Sequence, residues 1–415
     1  MTSGSLRALR VLSTAVALLT LSESRLVLAN TEPPAAYDAR SVALGGTGSA
    51  YVHNGASPFK NPAALEGIGT FSVTGVISPS APTTTVPLNG PNSSVKSDAS
   101  VFPLFLVGGA YRLTDRLVLG VAVFPSAGFG SVYKGVATPA GSVDLEQKVS
   151  VFEATPALSF ALTKQVAVGV AWRITHTSQS AEQLAPVAGP GPVPAMGKLE
   201  VDMSGTSYAG AHFGLFAKPT PTTRLSLTYR NRFTTHLDGT VTMAGQGNPA
   251  SMDLPMPHNW GMGAAQELLG KRLLLVAEIK RSLYAEANKS FVTTIQTPMG
   301  DQKMVIPLDW NNTWTVGAGA EYWLTTTWAA RIGYSAAQSA TPEKRPSYYL
   351  PPPALMHTLH FGAGVKLGQF DIDAGGFYSF GGKDLTPAQT SPQDPNPGRY
   401  ESTFLMGALS VTWRR

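Results

Sequence analysis

The most constraining feature of the chain is a period-two alternation sustained over segments far longer than an ordinary strand. Leu117, Leu119, Val121 and Val123 alternate with Val118, Gly120 and Ala122. Leu359, Phe361, Ala363, Val365 and Leu367 alternate with His360, Gly362, Gly364 and Lys366. Residues two apart on a strand share a face, so each segment has one large apolar face and one of glycine, alanine and occasional charges. Fourteen segments read this way: 68–77, 101–113, 116–126, 151–163, 166–178, 207–218, 223–236, 258–268, 271–286, 311–324, 327–338, 356–367, 369–381 and 400–413. Strands of soluble domains average about 5–6 residues. A tilted strand crossing a bilayer takes about 9–11.

The connections fall into two kinds that alternate. Short turns, such as Leu113-Thr114-Asp115-Arg116 and Leu367-Gly368-Gln369, follow every second segment. Long loops are expected at 78–100, 127–150, 179–206, 237–257, 287–310, 339–355 and 382–399. Outer-membrane barrels show this asymmetry, and an even strand number returns both ends to one side. Long structureless loops are uncommon in compact soluble domains.

Composition narrows the choice further. Charged residues are 14% of the chain, against about 25% in soluble proteins. The second face is therefore not the charged surface of a soluble sandwich. No apolar run approaches the roughly 20 residues that a spanning helix needs. With no cysteine, disulfide scaffolds, zinc–cysteine sites and thiol nucleophiles are excluded. The 31 basic and 26 acidic residues are dispersed, with no basic block of the kind that binds nucleic acid. The expected fold class is all-β: a transmembrane antiparallel β-barrel of about 14 strands. Tyr111, Phe124, Trp172, Trp260, Tyr322, Trp328 and Trp413, near segment ends, read as interfacial girdles.

Arg7 and Arg10, the apolar stretch Val11 to Leu21 and the small-residue site Val27-Leu28-Ala29 read as a secretory signal over 1–29. The mature chain then starts near Asn30, and residues 30–67 precede the first strand of a barrel over 68–415.

Several stretches resemble the long-chain fatty acid and hydrophobic-compound transporters of the outer membrane, the FadL/TodX type. They begin with ARSVALGGTGSAYVHNGASPFKNPAALEG at 39–67, which contains Asn61-Pro62-Ala63. LVGGAYRLTDRLVLGVAVFPSAGFG follows at 106–130, then TPALSFALTKQVAVGVAWRI at 155–174, LPMPHNWGMGAA at 254–265, and HFGAGVKLGQFDIDAGGFYSF at 360–380. The resemblance implies a barrel plugged in its lumen by the N-terminal segment, here 30–67. It implies passive transport of fatty acids or aromatic hydrocarbons by a monomer in the bacterial outer membrane, without a cofactor. It also implies lateral exit through a kink in the third strand, here Pro125, Ser126, Ala127, Gly128, Phe129 and Gly130. Proline and glycine weaken a ladder, although the same residues also fit a strand end entering a loop. The terminal Arg414-Arg415 departs from the usual barrel ending on an aromatic residue.

A carboxylate head group would seek a cation, and Arg173, Arg230, Arg232, Arg331 and Lys366 fall on the expected lumen register. The alternative is internal pairing with Glu153, Glu278, Glu321, Asp371 or Asp373. Shielding a greasy ligand is favourable by about 25 cal/mol per Å2 of apolar area. Gly45-Gly46-Thr47-Gly48-Ser49 lacks the lysine of a phosphate loop and reads as a tight plug segment. His357 and His360, three apart on a strand, face opposite sides and form no local metal pair. No catalytic set is expected. Two other functions stay open: a docking partner in protein secretion, and an aqueous porin.

Overall fold

A computed structural model describes residues 38–88, 90–98, 101–138, 141–187, 195–243, 245–298, 300–392 and 396–415. The signal reading at 1–29 and the first part of the plug reading, 30–37, lie outside these residues. The strands are β1 (Phe71–Val86), β2 (Val95–Lys96), β3 (Phe102–Thr114), β4 (Leu117–Thr138), β5 (Gly141–Ala161), β6 (Val166–Val187), β7 (Ala195–Ala217), β8 (Thr223–Arg230), β9 (Phe233–Met243) and β10 (Gln246–Met256). They continue with β11 (Asn259–Leu268), β12 (Leu273–Ser282), β13 (Ser290–Thr297), β14 (Gly300–Pro307), β15 (Thr313–Trp323), β16 (Trp328–Gln338), β17 (Leu355–Leu367), β18 (Phe370–Leu385) and β19 (Gly398–Arg414).

Fourteen of them form a closed antiparallel barrel. The order around the wall is β1, β3 to β8, β11, β12 and β15 to β19. β19 closes the ring on β1, with Ser72 opposite Arg414 and Thr85 opposite Glu401. The Arg414 guanidinium pairs with Asp371 at 2.8 Å, and the Arg415 N–H donates to the Phe71 carbonyl at 3.0 Å. The C-terminal arginines are thus built into the seam.

The outward face carries the large apolar residues, among them Ile77, Leu119, Val121, Phe160, Met262, Ile332 and Phe361, all exposed. Strands that face lipid need this band, since the hydrophobic contact is with the bilayer. Trp172, Trp260, Trp328 and Trp413 are also exposed. Phe124 is the exception among the expected girdle residues. It is fully buried and meets Phe59 edge to face at 4.4 Å.

Much of what reads as long loops is sheet. The β4–β5 and β6–β7 hairpins continue to Thr138/Gly141 and Val187/Ala195. The 237–257 stretch forms most of the β9–β10 hairpin, which pairs with β7 on one side and β13 on the other. The 287–310 stretch holds β13 and β14. The cause is visible in the residues: Ala250, Met252, Leu254 and Met256 keep the period of two and are all buried. The sheet therefore extends past the short staves as an outer collar.

Residues 38–70 fill the half of the lumen nearest the short turns. They comprise α1 (Ala39–Ala43), α2 (Ser57–Lys60) and a 3-10 helix (Pro62–Gly67). Asp38 caps α1, accepting from the Ser41 N–H at 2.6 Å. α1 packs against β16 to β19, and the 3-10 helix against β4 to β7.

Candidate functional site

The inner face is glycine-rich because the plug backbone lies directly on it. A Cβ at Gly214 would sit 1.9 Å from the Asn61 Oδ1, and one at Gly333 would sit 2.3 Å from the Gly45 nitrogen. Asn61 ties the plug together: its Oδ1 accepts from the Ala63 N–H at 3.0 Å and its Nδ2 donates to the carbonyls of Ser49 at 3.0 Å and Leu215 at 3.2 Å. Pro62 opens the 3-10 helix, where a missing N–H costs nothing. Asn61, Pro62 and Ala63 are all buried.

Charges inside the barrel hold plug to wall. Arg40 makes a two-pronged contact with Glu321, at 2.8 and 2.7 Å. Arg331 donates to the same carboxylate at 2.6 Å and lies 2.8 Å from Asp373. Glu278 accepts from the N–H groups of Gly48 and Ser49, each at 2.9 Å, and from the Ser49 hydroxyl at 2.8 Å. Burial pushes the Lys60 ammonium down to about 7 and the His53 imidazole down to about 3.

Of the five cations expected on the lumen face, four follow the register and one does not. Arg173 is 1% exposed and holds Glu153 through two bonds of 3.0 and 2.9 Å. Arg331 joins the network just described. Arg230 donates to the Phe59 carbonyl at 2.6 Å and stacks over that ring at 4.3 Å. Lys366 lies at the short-turn rim, with its ammonium 4.1 Å from the centre of the Trp323 ring. Arg232 is corrected: it is exposed, in the two-residue break between β8 and β9. Asn231 makes that break by bonding Ala211 and Ala209 of β7. The phase of the alternation resets there, so Phe233 turns inward instead.

The wall is broken where Pro125 to Gly130 lie. The β3–β4 ladder ends at Val107 opposite Val123, although β3 stays paired to β1 as far as Phe102. Beyond the break, the Asp98 N–H donates to the Val132 carbonyl at 2.8 Å. Between these two points β4 pairs, among the described residues, with β5 alone, and Ser126 is the extra residue of a bulge between Pro125 and Ala127. Phe124 to Gly128 are buried without alternation, as for a strand displaced inward. A Cβ at Gly130 would lie 2.0 Å from the Gln147 oxygen. Strands two apart are normally separated by roughly 9.5 Å. Here the rings of Phe105 on β3 and Phe152 on β5 stack at 6.3 Å across the recessed β4.

Beside this stretch lies a small apolar cavity of about 20 Å3. Ala127 and Gly128 of the kink form one side, Val149 and Val151 of β5 another, and Leu254 to Pro257 a third. The fourth side comes from the connection after β12, where α3 (Tyr284–Ala287) and the following chain bring in Tyr284, Asn288, Phe291 and Trp310. Trp310 is fixed by its N–H to the Asn288 carbonyl at 3.2 Å and meets Tyr284 edge to face at 5.5 Å. Among the described residues, none of the plug lines this cavity. Residues 287–310 read as a loop from sequence, so Asn288, Phe291 and Trp310 went unseen. The alternation of Phe291, Thr293 and Ile295 was the available signal.

Solved structures share the fold. A Pseudomonas aeruginosa FadL homologue superposes with a TM-score of 0.77 at 18% identity, over 93% of this chain and 100% of that one. The Pseudomonas putida toluene transporter TodX gives 0.71 at 19% identity, over 94% and 100%. The Ralstonia pickettii toluene transporter TbuX gives 0.69 at 17% identity, over 91% and 98%. No curated protein sequence matches. The family whose model matches residues 26–403 is one of transport channels in the bacterial outer membrane rather than of enzymes, and the chain belongs to it: the outer membrane protein transport proteins, OMPP1/FadL/TodX.

Proposed function

We propose that the protein passes apolar molecules from the cell exterior through the outer cavity and out sideways, between β3 and β4, into the membrane. One observation carries the reading. The apolar cavity shares Ala127 and Gly128 with the stretch of wall where the ladder is missing. A hydrophobic ligand in that cavity would leave without crossing water, keeping the burial worth about 25 cal/mol per Å2. The path along the barrel axis is occupied by the plug, which speaks against an aqueous porin. The substrate class fits relatives that are toluene transporters.

Arg173 and Arg331 serve as internal partners of Glu153, Glu321 and Asp373 in this scheme, rather than as anchors for a fatty-acid carboxylate. The test is uptake into vesicles by the purified protein. Deleting Ser126, the extra residue of the bulge, lets β4 re-pair. Toluene entry should then fall at least tenfold, and unchanged entry would refute the lateral route.

A further inference from the structure

We propose that the rim formed by the short turns is a docking surface for the phosphate head groups of anionic phospholipids, which would encircle the barrel at its periplasmic end. The rim consists of residues 66–70, 112–116, 162–165, 218–224, 267–272, 324–327, 366–371 and 414–415. These stretches carry ten basic and four acidic residues, a net charge of +6. The whole chain is only +5, so the rest of it is close to neutral and the positive excess sits at one end of the barrel. In outer-membrane barrels the short turns face the periplasm.

The four acids do not neutralise this rim. Glu66 holds Arg112 at 3.0 Å, Asp371 holds Arg414 at 2.8 Å, and Glu267 pairs with Arg224 and lies 4.0 Å from Lys271. Among the described residues, no carboxylate lies within ion-pair distance of Arg116, Lys164, Lys218, Arg272, Lys366 or Arg415. Three of these six rest on aromatic rings instead: Lys218 on Phe216 at 5.3 Å, Arg272 on Tyr322 at 5.4 Å and Lys366 on Trp323 at 4.1 Å. Arg272 also donates to the Trp323 and Leu324 carbonyls at 3.4 and 3.3 Å. Such neutral partners position a cation without cancelling its charge. Lys218 is half-buried and the other five are exposed.

Their placement selects lipid. The six belong to the β3–β4, β5–β6, β7–β8, β11–β12 and β17–β18 turns and to the end of β19, so they ring the barrel rather than gather in one sector. The exposed Tyr111, Tyr322, Trp328, Phe370 and Trp413 occupy the same strand ends, and aromatic residues of this kind mark the height of the head groups. A cation at that height meets lipid phosphate on every side of the barrel. An acidic protein docked against one side would need the charges on that side.

The experiment presents the purified full-length protein with mixed micelles holding equal amounts of phosphatidylglycerol and phosphatidylethanolamine of the same acyl chains. The ratio of the two lipids retained by the protein is read by mass spectrometry. At low salt the native protein should enrich phosphatidylglycerol about fivefold, the equivalent of about 1 kcal/mol. The enrichment should vanish in about 1 M salt, where charges are screened within about 3 Å. The sixfold variant Arg116→Gln, Lys164→Gln, Lys218→Gln, Arg272→Gln, Lys366→Gln, Arg415→Gln should enrich less than about twofold. The control Lys289→Gln, Lys303→Gln, Lys344→Gln, on the outer side, should match the native protein. The salt series needs no variant, so the proposal stays open to refutation if the sixfold variant fails to fold. Equal retention of both lipids by the native protein overturns the lipid reading. Equal retention together with polyglutamate binding that the sixfold variant loses puts an acidic polypeptide in the place of lipid. An enrichment that survives in the sixfold variant, or falls as far in the control, overturns the role of the rim.

Discussion

The plug-filled half of the barrel and the outer half around the cavity use the same alternating strands to opposite ends. Near the short turns, the inner face is glycine and paired charge, shaped by the backbone of residues 38–70. In the outer half, the inner face is large and apolar: Leu199, Met203, Leu237, Val241, Met252, Ile295 and Trp310 form one cluster with no described plug residue in it. The first arrangement encloses a polar cavity of about 200 Å3 between plug and wall, lined by Asp38, Arg40, Asp371 and Asp373. The second leaves a smaller apolar cavity beside the stretch where β3 and β4 are unpaired. The difference teaches that lumen polarity in this barrel follows what the wall packs against, plug polypeptide below and apolar side chains above.

Three substitutions and a titration test that division, from the largest expected effect down. Glu321→Gln strips Arg40 and Arg331 of their shared carboxylate. Breaking a buried pair costs about 3–5 kcal/mol, so heat denaturation should shift sharply downward and residues 38–67 should become open to protease. Gly214→Ala sets a methyl against the Asn61 Oδ1. It should cost about 1–3 kcal/mol, read as increased ion conductance with toluene binding preserved. Unaltered conductance would mean that the plug fit is looser than the contacts indicate. Ala127→Leu fills the cavity instead: toluene affinity should fall about tenfold, or about 1.4 kcal/mol, with conductance unchanged. If both variants changed both readouts, the two halves would not be independent.

The smallest effect is a pair of histidine titrations. On the outer β9–β10 hairpin, His236 lies opposite Asp253 and bonds it at 2.7 Å, which raises its pKa. Its contribution is complete below about 6.5 and is lost as pH rises through the raised value. Because it is 60% exposed, the contribution is screened and small. His53 in the plug runs the other way. Burial depresses it to about 3, so its contribution is lost as pH falls from about 6.5 toward 3. Imidazole NMR shifts should show His236 titrating above the ordinary value and His53 still neutral at pH 5.

How much of this was legible in the sequence follows from periodicity. The wall was legible, because a lipid face repeats every second residue. The plug's fit was half legible: glycines at Gly317, Gly319 and Gly333 marked the inner face, but not which backbone rests on them. The cavity was not legible, because its residues come from four separate stretches that only closure brings together. Arg232 misled because a two-residue break resets the phase without leaving a mark in composition. Pro125 to Gly130 admitted two readings, and the loss of β3 pairing beyond Val107 decides for a break within the wall rather than a strand end, since β4 runs on to Thr138.

The central claim is that the ligand leaves through the wall and not past the plug, and the Ser49–Ser226 contact allows a direct test. Their hydroxyls are 2.8 Å apart, one on the plug and one on β8, and the chain has no cysteine of its own. The double variant Ser49→Cys, Ser226→Cys should form a disulfide there, fixing plug to wall. Toluene uptake into vesicles is then measured with this variant oxidised and reduced. The lateral route predicts equal rates in the two states. Uptake that stops on oxidation and returns on reduction would contradict it.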